Sequence, residues 1–219
     1  DVLFLAAGSV IIAMPHEPDM SKMGGMFKYM PLTYFTMLIG ALANAGFPPF
    51  AGFFSKDTII EAAHASHIFG SGFAYLMVLL GVFVGGLYSF RLIFFAFHGS
   101  ERFSTHAGHD HLSGPPHESP WVVTLPLILL AIPSIAAGWV IGDVVFGSYF
   151  GSSIVIAPEH GAIAELKEEF HGVLQMILHG FKGLPFWFAL AGASVAWYLY
   201  IARPELPAVI RARLSWPVM

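Results

Sequence analysis

The chain has 219 residues, of which 56% are hydrophobic and 11% are charged, and its mean hydropathy is +0.70. Because a soluble domain carries about 25% charged residues, this composition predicts a membrane protein solvated by the lipid bilayer. The net charge of −4 provides no basic surface, which excludes nucleic acid as a partner. The absence of cysteine excludes disulfides, Fe–S ligation and thiolate metal centres in this chain.

The first apolar segment, Val2 to Met14, has 13 residues, whereas a full crossing needs about 20. Residue 1 is Asp, and neither a charged leader nor a cleavage site is present. We therefore expect a fragment that begins inside a helix, and not a signal peptide. After Pro15, His16 lies where the helix exits. That imidazole is either simply solvated or part of a proton path at the cytoplasmic mouth, because it titrates near the working pH.

The second segment extends from Pro31 to Ala65 and is interrupted by Pro48 and Pro49. Each proline lacks a backbone N–H and clashes with the preceding turn, so the helix must break or kink there. Lys56 and Asp57 follow the break, in a stretch that is otherwise apolar. An ionisable residue at membrane depth is costly unless it lines a polar cavity. The pattern predicts a discontinuous helix that carries an ion or proton site near the bilayer midplane.

Both charged residues at the break also have a structural interpretation. The long stem of Lys56 allows it to reach an interface and anchor the helix there. Asp57 suits the N-cap of a helix that starts near Thr58, where its carboxylate would accept from free backbone N–H groups. The capping role and a proton-relay role for Asp57 are compatible.

Three further apolar segments follow, at Phe73 to Phe97, Trp121 to Gly142 and Pro185 to Ala202. The third segment contains one charge, Arg91. Its position six residues before Phe97 allows the guanidinium either to reach the interface or to pair inside the membrane on a proton path. The expected fold is an all-α polytopic transmembrane bundle with one proline-broken helix.

Two residue patterns, one of small residues and one amphipathic, predict how these helices pack. Gly81, Gly85 and Gly86 provide small-residue spacings in the third segment that let helices approach closely. Charged and apolar residues alternate at helical spacing before the fifth segment, which predicts an amphipathic helix on the outer membrane surface. Its residues are Glu165, Leu166, Lys167, Glu168, Glu169, Phe170, Val173, Leu174 and Ile177.

A histidine-rich loop joins the third and fourth segments. Its imidazoles are His98, His106, His109, His111 and His117. A loop rich in Gly, Pro and Ser imposes no ligand geometry, so a solvated linker is favoured over a metal site. We expect no metal in this chain.

Charge decides between one and two crossings for the broken helix. One crossing puts six basic residues of the loops and tail on one side of the membrane and two on the other, whereas two crossings give four and four. The positive-inside bias favours one crossing, with the larger group in the cytoplasm. That group comprises Lys22, Lys28, Arg102, Arg203, Arg211 and Arg213, and the smaller one Lys167 and Lys182.

A series of motifs recurs in order along the chain. They are Gly8 to Ala13, Lys22 to Gly25, Ala51 to Asp57, Leu87 to Arg91, and Phe97 to Gly99. In this series the chain resembles the L-subunit family of bacterial respiratory complex I, the proton-pumping NADH:quinone oxidoreductase. That family comprises antiporter-like membrane subunits, and the resemblance is strongest over residues 2 to 100 and corresponds to a C-terminal-half fragment.

The resemblance implies a function and a setting. Lys56 matches the family's proton-channel lysine at the break of the second inverted repeat, with Asp57 beside it. The chain would be a non-redox translocase subunit in the bacterial inner membrane, bound to lipid and to the other membrane subunits of complex I. NADH, FMN, Fe–S clusters and a quinone such as ubiquinone would belong to partner subunits, with no cofactor in this chain.

Two alternatives remain open at this point. The large subunit of an Mrp-type cation/proton antiporter shares the broken helix and its lysine, and a non-transporting membrane scaffold would account for the apolar helices alone. By position, we expect residues 1–142 to form part of the proton-translocation domain. Residues 143–183 would be a periplasmic loop with the amphipathic helix, and residues 184–219 the last membrane helix and the start of a cytoplasmic tail.

Overall fold

The computed structural model describes residues 2–14, 18–66, 68–103, 116–140, 144, 149–150, 153, 166–168 and 170–214. Their regular structure is helical, with these α-helices: α1 (Val2–Ala13), α2 (Pro31–Ala45), α3 (Ala51–Ala65), α4 (Ser71–Phe97), α5 (Trp121–Ala136), α6 (Val173–Gly180), α7 (Leu184–Trp197) and α8 (Leu206–Leu214). Single-turn 3₁₀ segments lie at Met20–Lys22, Met26–Lys28 and Ala137–Val140, and a π-helical turn follows α7 at Tyr198–Ala202. The all-α membrane bundle is confirmed.

Three continuous helical stretches are long and apolar enough to cross a bilayer. They are Ser71–Phe97, Trp121–Val140 and Leu184–Ala202, and the shorter α1 is also apolar. Apolar side chains such as Phe4 (81% exposed), Val122 (82%) and Trp187 (56%) lie on the outer faces of these helices. Lipid or further protein solvates such faces, as expected for a multi-pass membrane protein.

Helices α2 and α3 together follow the length of α4, in the opposite direction. Each half-helix has 15 residues and α4 has 27. The contacts between them occur in reverse order along the two elements: Tyr34 with Phe97, Asn44 with Ser89, Ile60 with Leu79, and His64 with Tyr75. A chain that turned back at the break would not contact α4 in this order. The contacts agree with one discontinuous crossing.

The small-residue contact between α4 and α7 differs in part from the prediction. A Cβ on Gly86 would lie 2.6 Å from the carbonyl oxygen of Ala189, and one on Gly192 would lie 2.2 Å from that of Phe83. Gly81 has no heavy atom within 4 Å of its Cβ position, and Gly85 has only a side-chain atom at 3.9 Å. Only Gly86 of the three predicted glycines therefore permits a close backbone approach, and its partner Gly192 was not predicted.

The predicted amphipathic helix is shorter than its residue pattern suggested. Gly172 has a φ of 108°, and α6 begins after it. Residues 166–168 are helical, but 170–172 are not, and Glu165 and Glu169 lie outside the described residues. The apolar face of α6 covers α3, where Ile177 packs with Phe53 and Phe54.

The loops at the other end of the bundle bind to one another. Arg102 Nε donates to the Ser21 carbonyl at 2.9 Å, and Lys28 lies 3.9 Å from Glu101. The Glu118 carboxylate caps α2 by accepting from the backbone N–H of Leu32 at 2.9 Å. We call this group, formed by residues 18–30, 98–103 and 116–120, the loop end.

Candidate functional site

The break between α2 and α3 begins with a left-handed glycine. Gly46 has a φ of 82°, and its N–H donates to the carbonyls of Leu42 at 3.1 Å and Ala43 at 3.2 Å. A left-handed residue ends a helix in this way because only Gly adopts it without strain. Pro48 and Pro49 then occupy the connection, where neither can donate a helical hydrogen bond.

Lys56 reaches back across this break. It lies in the second turn of α3 and is half-buried. Its Nζ donates to the main-chain carbonyl of Asn44, next to the last residue of α2. The final carbonyls of a helix have no partner within the helix and carry its negative dipole end, so a cation is favoured there. The ammonium of Lys56 thus lies inside the bundle at a polar helix terminus.

Asn44 connects this terminus to α4. Its Nδ2 donates to Tyr88 Oη at 2.7 Å and to Ser89 Oγ at 2.9 Å, and Ser89 is fully buried. Asn44 was not among the predicted site residues, although it is the one amide side chain in α2. Tyr88 and Ser89 belong to a motif that was used only for the resemblance.

The two half-helices touch at the break. A Cβ on Gly52 would lie 1.8 Å from the carbonyl oxygen of Ala43, so only hydrogen fits at this position. The close approach places the first turn of α3 against the last turn of α2. This brings the Lys56 side chain within reach of the Asn44 carbonyl.

Asp57 lies on a different face of α3 from the break. It is only 6% exposed and lines a cavity of about 160 Å³ with Glu61, His64 and His179. The predicted helix start near Thr58 is wrong. Helix α3 begins at Ala51, its N-cap is Phe50, and Asp57 lies in the second turn, where it does not cap the helix.

The remaining predicted site residues do not join this group. Arg91 is exposed on α4, with its guanidinium carbon 5.6 Å from the centre of the Tyr200 ring. Both roles proposed for Arg91, at the interface or on a proton path, stay predictions. His16 lies outside the described residues.

The histidines of the loop end are separated in the structure. His98 Nε2 lies 3.2 Å from Tyr34 Oη, and its ring stacks on Phe27. Burial lowers the pKa of His98 below its usual value. His117 is exposed, and His106, His109 and His111 lie outside the described residues. His98 is thus a packing residue.

Comparison with known proteins decides the family. Residues 1–95, which include the break, Lys56 and Asn44, match the transmembrane family model of NADH:quinone oxidoreductase and Mrp antiporters. NADH-quinone oxidoreductase subunit L of Neisseria meningitidis serogroup B is 49% identical over 95% of this chain. The chain belongs to the family of antiporter-like membrane subunits of complex I.

Two further relatives are also similar to this chain. NADH-quinone oxidoreductase subunit L of Rhodobacter capsulatus is 44% identical over 70% of the chain and 21% of its own length. NADH-ubiquinone oxidoreductase chain 5 of Chondrus crispus is 39% identical over 91% of the chain and 29% of its own length. The chain spans about a third of the length of the Neisseria relative, where the coverage is 33%.

Proposed function

We propose that this chain is part of a proton-translocating membrane subunit of NADH:quinone oxidoreductase, and that Lys56 carries the proton at the break between α2 and α3. The observation that supports the proposal is the half-buried ammonium held at the C-terminal end of a broken helix. The names of the relatives favour complex I over an Mrp-type antiporter, although the family model includes both. A scaffold would leave this buried cation without a role.

The chemistry of lysine suits such a site. A partly desolvated ammonium releases its proton more easily than one in water, and a neighbouring dipole or anion restores its affinity. At the break, the Asn44 carbonyl favours the charged form of Lys56. Movement of α2 relative to α3 would change this contact and thereby the proton affinity of the amine. Such coupling requires no redox group in this chain.

The proposal also assigns a location to the subunit and the redox groups to its partners. The subunit would lie in the bacterial inner membrane beside the other membrane subunits of complex I. NADH, FMN, Fe–S clusters and quinone would be held by partner subunits and would supply the electron transfer that drives proton movement. The lack of cysteine in this chain agrees with that division of labour.

Substitution of Lys56 tests the proposal. In the full-length subunit within the assembled complex, Lys56→Met should lower proton uptake into inverted membrane vesicles by on the order of tenfold or more, because Met has similar volume and carries no proton. Lys56→Arg should also pump poorly, since guanidinium does not release its proton. NADH-driven proton uptake would be measured together with NADH oxidation.

The matched control is Lys182→Met, because Lys182 is an exposed lysine in the turn between α6 and α7. This variant should pump normally. Normal pumping by an assembled Lys56→Met complex would remove Lys56 from the proton path and leave it as an anchor.

A further inference from the structure

Two cavities lie beyond Asp57, on the side of α3 that faces α6. The inner cavity has a volume of about 160 Å³ and extends from Asp57 to the turn before α7. The outer cavity has a volume of about 330 Å³ and is bounded by α6 and the residues before it, including His171 and Gln175. Both are large enough for several water molecules, each of which needs roughly 15 Å³.

Glu61 and His179 line both cavities. They come from different elements, since Glu61 is on α3 and His179 is in the last turn of α6. The two side chains therefore stand where the inner cavity adjoins the outer one. They are the titratable side chains that the linings of the two cavities have in common.

Burial of the titratable side chains decreases from the inner cavity to the outer cavity. Asp57 is buried, Glu61 is half-buried, and His179 and His171 are exposed. Asp57 and Glu61 are separated by four residues, so their Cβ atoms lie about 6 Å apart on one helix face. Each of these groups both takes up and releases a proton, and one bridging water spans such a separation.

We propose that Glu61 and His179 form the outlet of the proton route, passing protons between the inner cavity at Asp57 and the outer cavity under α6. The proposal rests on the proposed function, because Lys56 is the source of the proton. In one cycle the Asp57 carboxylate accepts a proton from the Lys56 ammonium by way of water, Glu61 accepts it from Asp57, and His179 or cavity water accepts it from Glu61 and releases it outside. The neutral amine of Lys56 then takes up a proton from the cytoplasmic side, so that each group returns to its starting state and one proton has moved outward.

Helix α6 has a defined part in this arrangement. It covers the outlet because Ile177 packs on Phe53 and Phe54, and because the Phe53 ring lies against Gly180, where a Cβ would come within 2.3 Å of it. Because His179 follows Ile177 by two residues on the same helix, this packing also sets the position of His179 at the cavities that Glu61 lines. The amphipathic segment therefore contributes a functional side chain as well as an apolar cover.

Isosteric substitutions test the outlet in the full-length subunit within the assembled complex. Glu61→Gln should lower proton uptake by on the order of tenfold, and Glu61→Asp should restore at least about half of it, because Asp carries the same proton. His179→Gln alone should have a smaller effect, since water can replace it, and should add to the loss in Glu61→Gln. Glu205→Gln and His117→Gln, at exposed positions outside both cavities, serve as controls and should pump normally.

Water access provides a second measurement that does not depend on pumping. A cysteine at Glu61 should react with a charged, membrane-impermeant thiol reagent added from the periplasmic side. A cysteine at Ile59, which lies two residues away on the same helix and is 61% exposed on the outside of the bundle, should not react. Equal reaction at both positions, or none at Glu61→Cys, would show that the cavities are not an aqueous outlet.

The outcomes separate this proposal from the one on which it rests. If Lys56→Met stops pumping while Glu61→Gln and the double variant with His179→Gln pump normally, the outlet is wrong and the role of Lys56 stands. If Lys56→Met pumps normally, the proposed function fails. Labelling of Glu61→Cys would then report a water-filled cavity without a proton route.

Discussion

Lys56 and Asn44 form the centre of the break, and each depends on the other. The main-chain carbonyl of Asn44 accepts from the Lys56 ammonium, while its side chain fixes this carbonyl against Tyr88 and Ser89 of α4. The position of the lysine nitrogen is therefore set by three elements. A shift of α4 would be transmitted to the ammonium through one amide side chain.

Removal of the Asn44 side chain should loosen this junction. We expect Asn44→Leu to destabilise the junction by about 1 to 3 kcal/mol, because the buried Ser89 hydroxyl loses its amide partner. Tyr88 is 51% exposed, so Tyr88→Phe should have a much smaller effect. The unfolding midpoint of the detergent-purified complex measures both. Equal midpoints for Asn44→Leu and the wild type would show that the amide does not fix the break.

At the scale of single residues, the sequence predicts charged groups better than their partners. Lys56 could be predicted as a site residue because a single cation in an apolar membrane stretch is costly and therefore rarely lacks a function. Asn44 and Glu61 could not be selected, because their roles depend on which helices pack against them. The predicted capping role of Asp57 is wrong because α3 starts at Ala51, just after the prolines and six residues before Asp57.

At the scale of elements, apolar length predicted the crossings closely. The third segment begins at Ser71 in place of Phe73 and ends at Phe97 as predicted, and α3 ends at Ala65. These bounds follow from hydropathy and from Pro and Gly signals that act locally. Helix α8, Leu206–Leu214, was not predicted, because its segment carries arginines and has little apolar character.

The contact between α4 and α7 depends on the absence of one side chain. Gly192→Ala should force the backbones apart, because the new Cβ would lie 2.2 Å from the Phe83 carbonyl oxygen and 2.8 Å from the Leu87 nitrogen. We expect a cost of about 1 to 3 kcal/mol and a lower yield of assembled complex. Thermal unfolding of the purified complex and the amount of subunit retained in it are the measurements.

Gly81→Ala provides the matched control on α4. A Cβ there meets nothing within 4 Å, and Ala favours a helix over Gly by about 1 kcal/mol. This variant should be as stable as the wild type or more so. If Gly192→Ala matched it, the close crossing would not contribute to packing.

At the scale of the whole molecule, the larger group of basic residues and the outlet lie at opposite ends of the bundle. The loop end contains Lys22, Lys28 and Arg102, and the contact of Tyr200 with Phe95 brings Arg203 near the same end. The two cavities lie at the other end, under α6. Packing thus brings together basic loops that are far apart in sequence. The number of basic residues expected on each side of the membrane predicted this grouping.

The division of residues 1–142, 143–183 and 184–219 into separate regions stays a prediction, as much of the middle region lies outside the described residues. The described contacts nevertheless connect its second part to the first through α6 and Phe53. The sequence predicted a periplasmic loop with an amphipathic helix on the membrane surface, but amphipathic periodicity does not show which element the apolar face covers. The outlet could only be seen once α6 was placed on α3.

The last prediction concerns the orientation of the whole bundle. We expect the loop end to face the cytoplasm, because six of the eight basic residues in the loops and tail belong to that side under one crossing of α2 and α3. Single cysteines at His117 and Arg211, both exposed, should react with an impermeant thiol reagent in inverted vesicles. A cysteine at the exposed Lys182 should react only from the periplasmic side of intact spheroplasts. These 219 residues contain no cysteine, so a labelled peptide from this part of the chain identifies the introduced position by mass. Reaction of His117→Cys from the periplasmic side would invert the bundle and place the outlet of Glu61 and His179 on the cytoplasmic face, which would make it an entry.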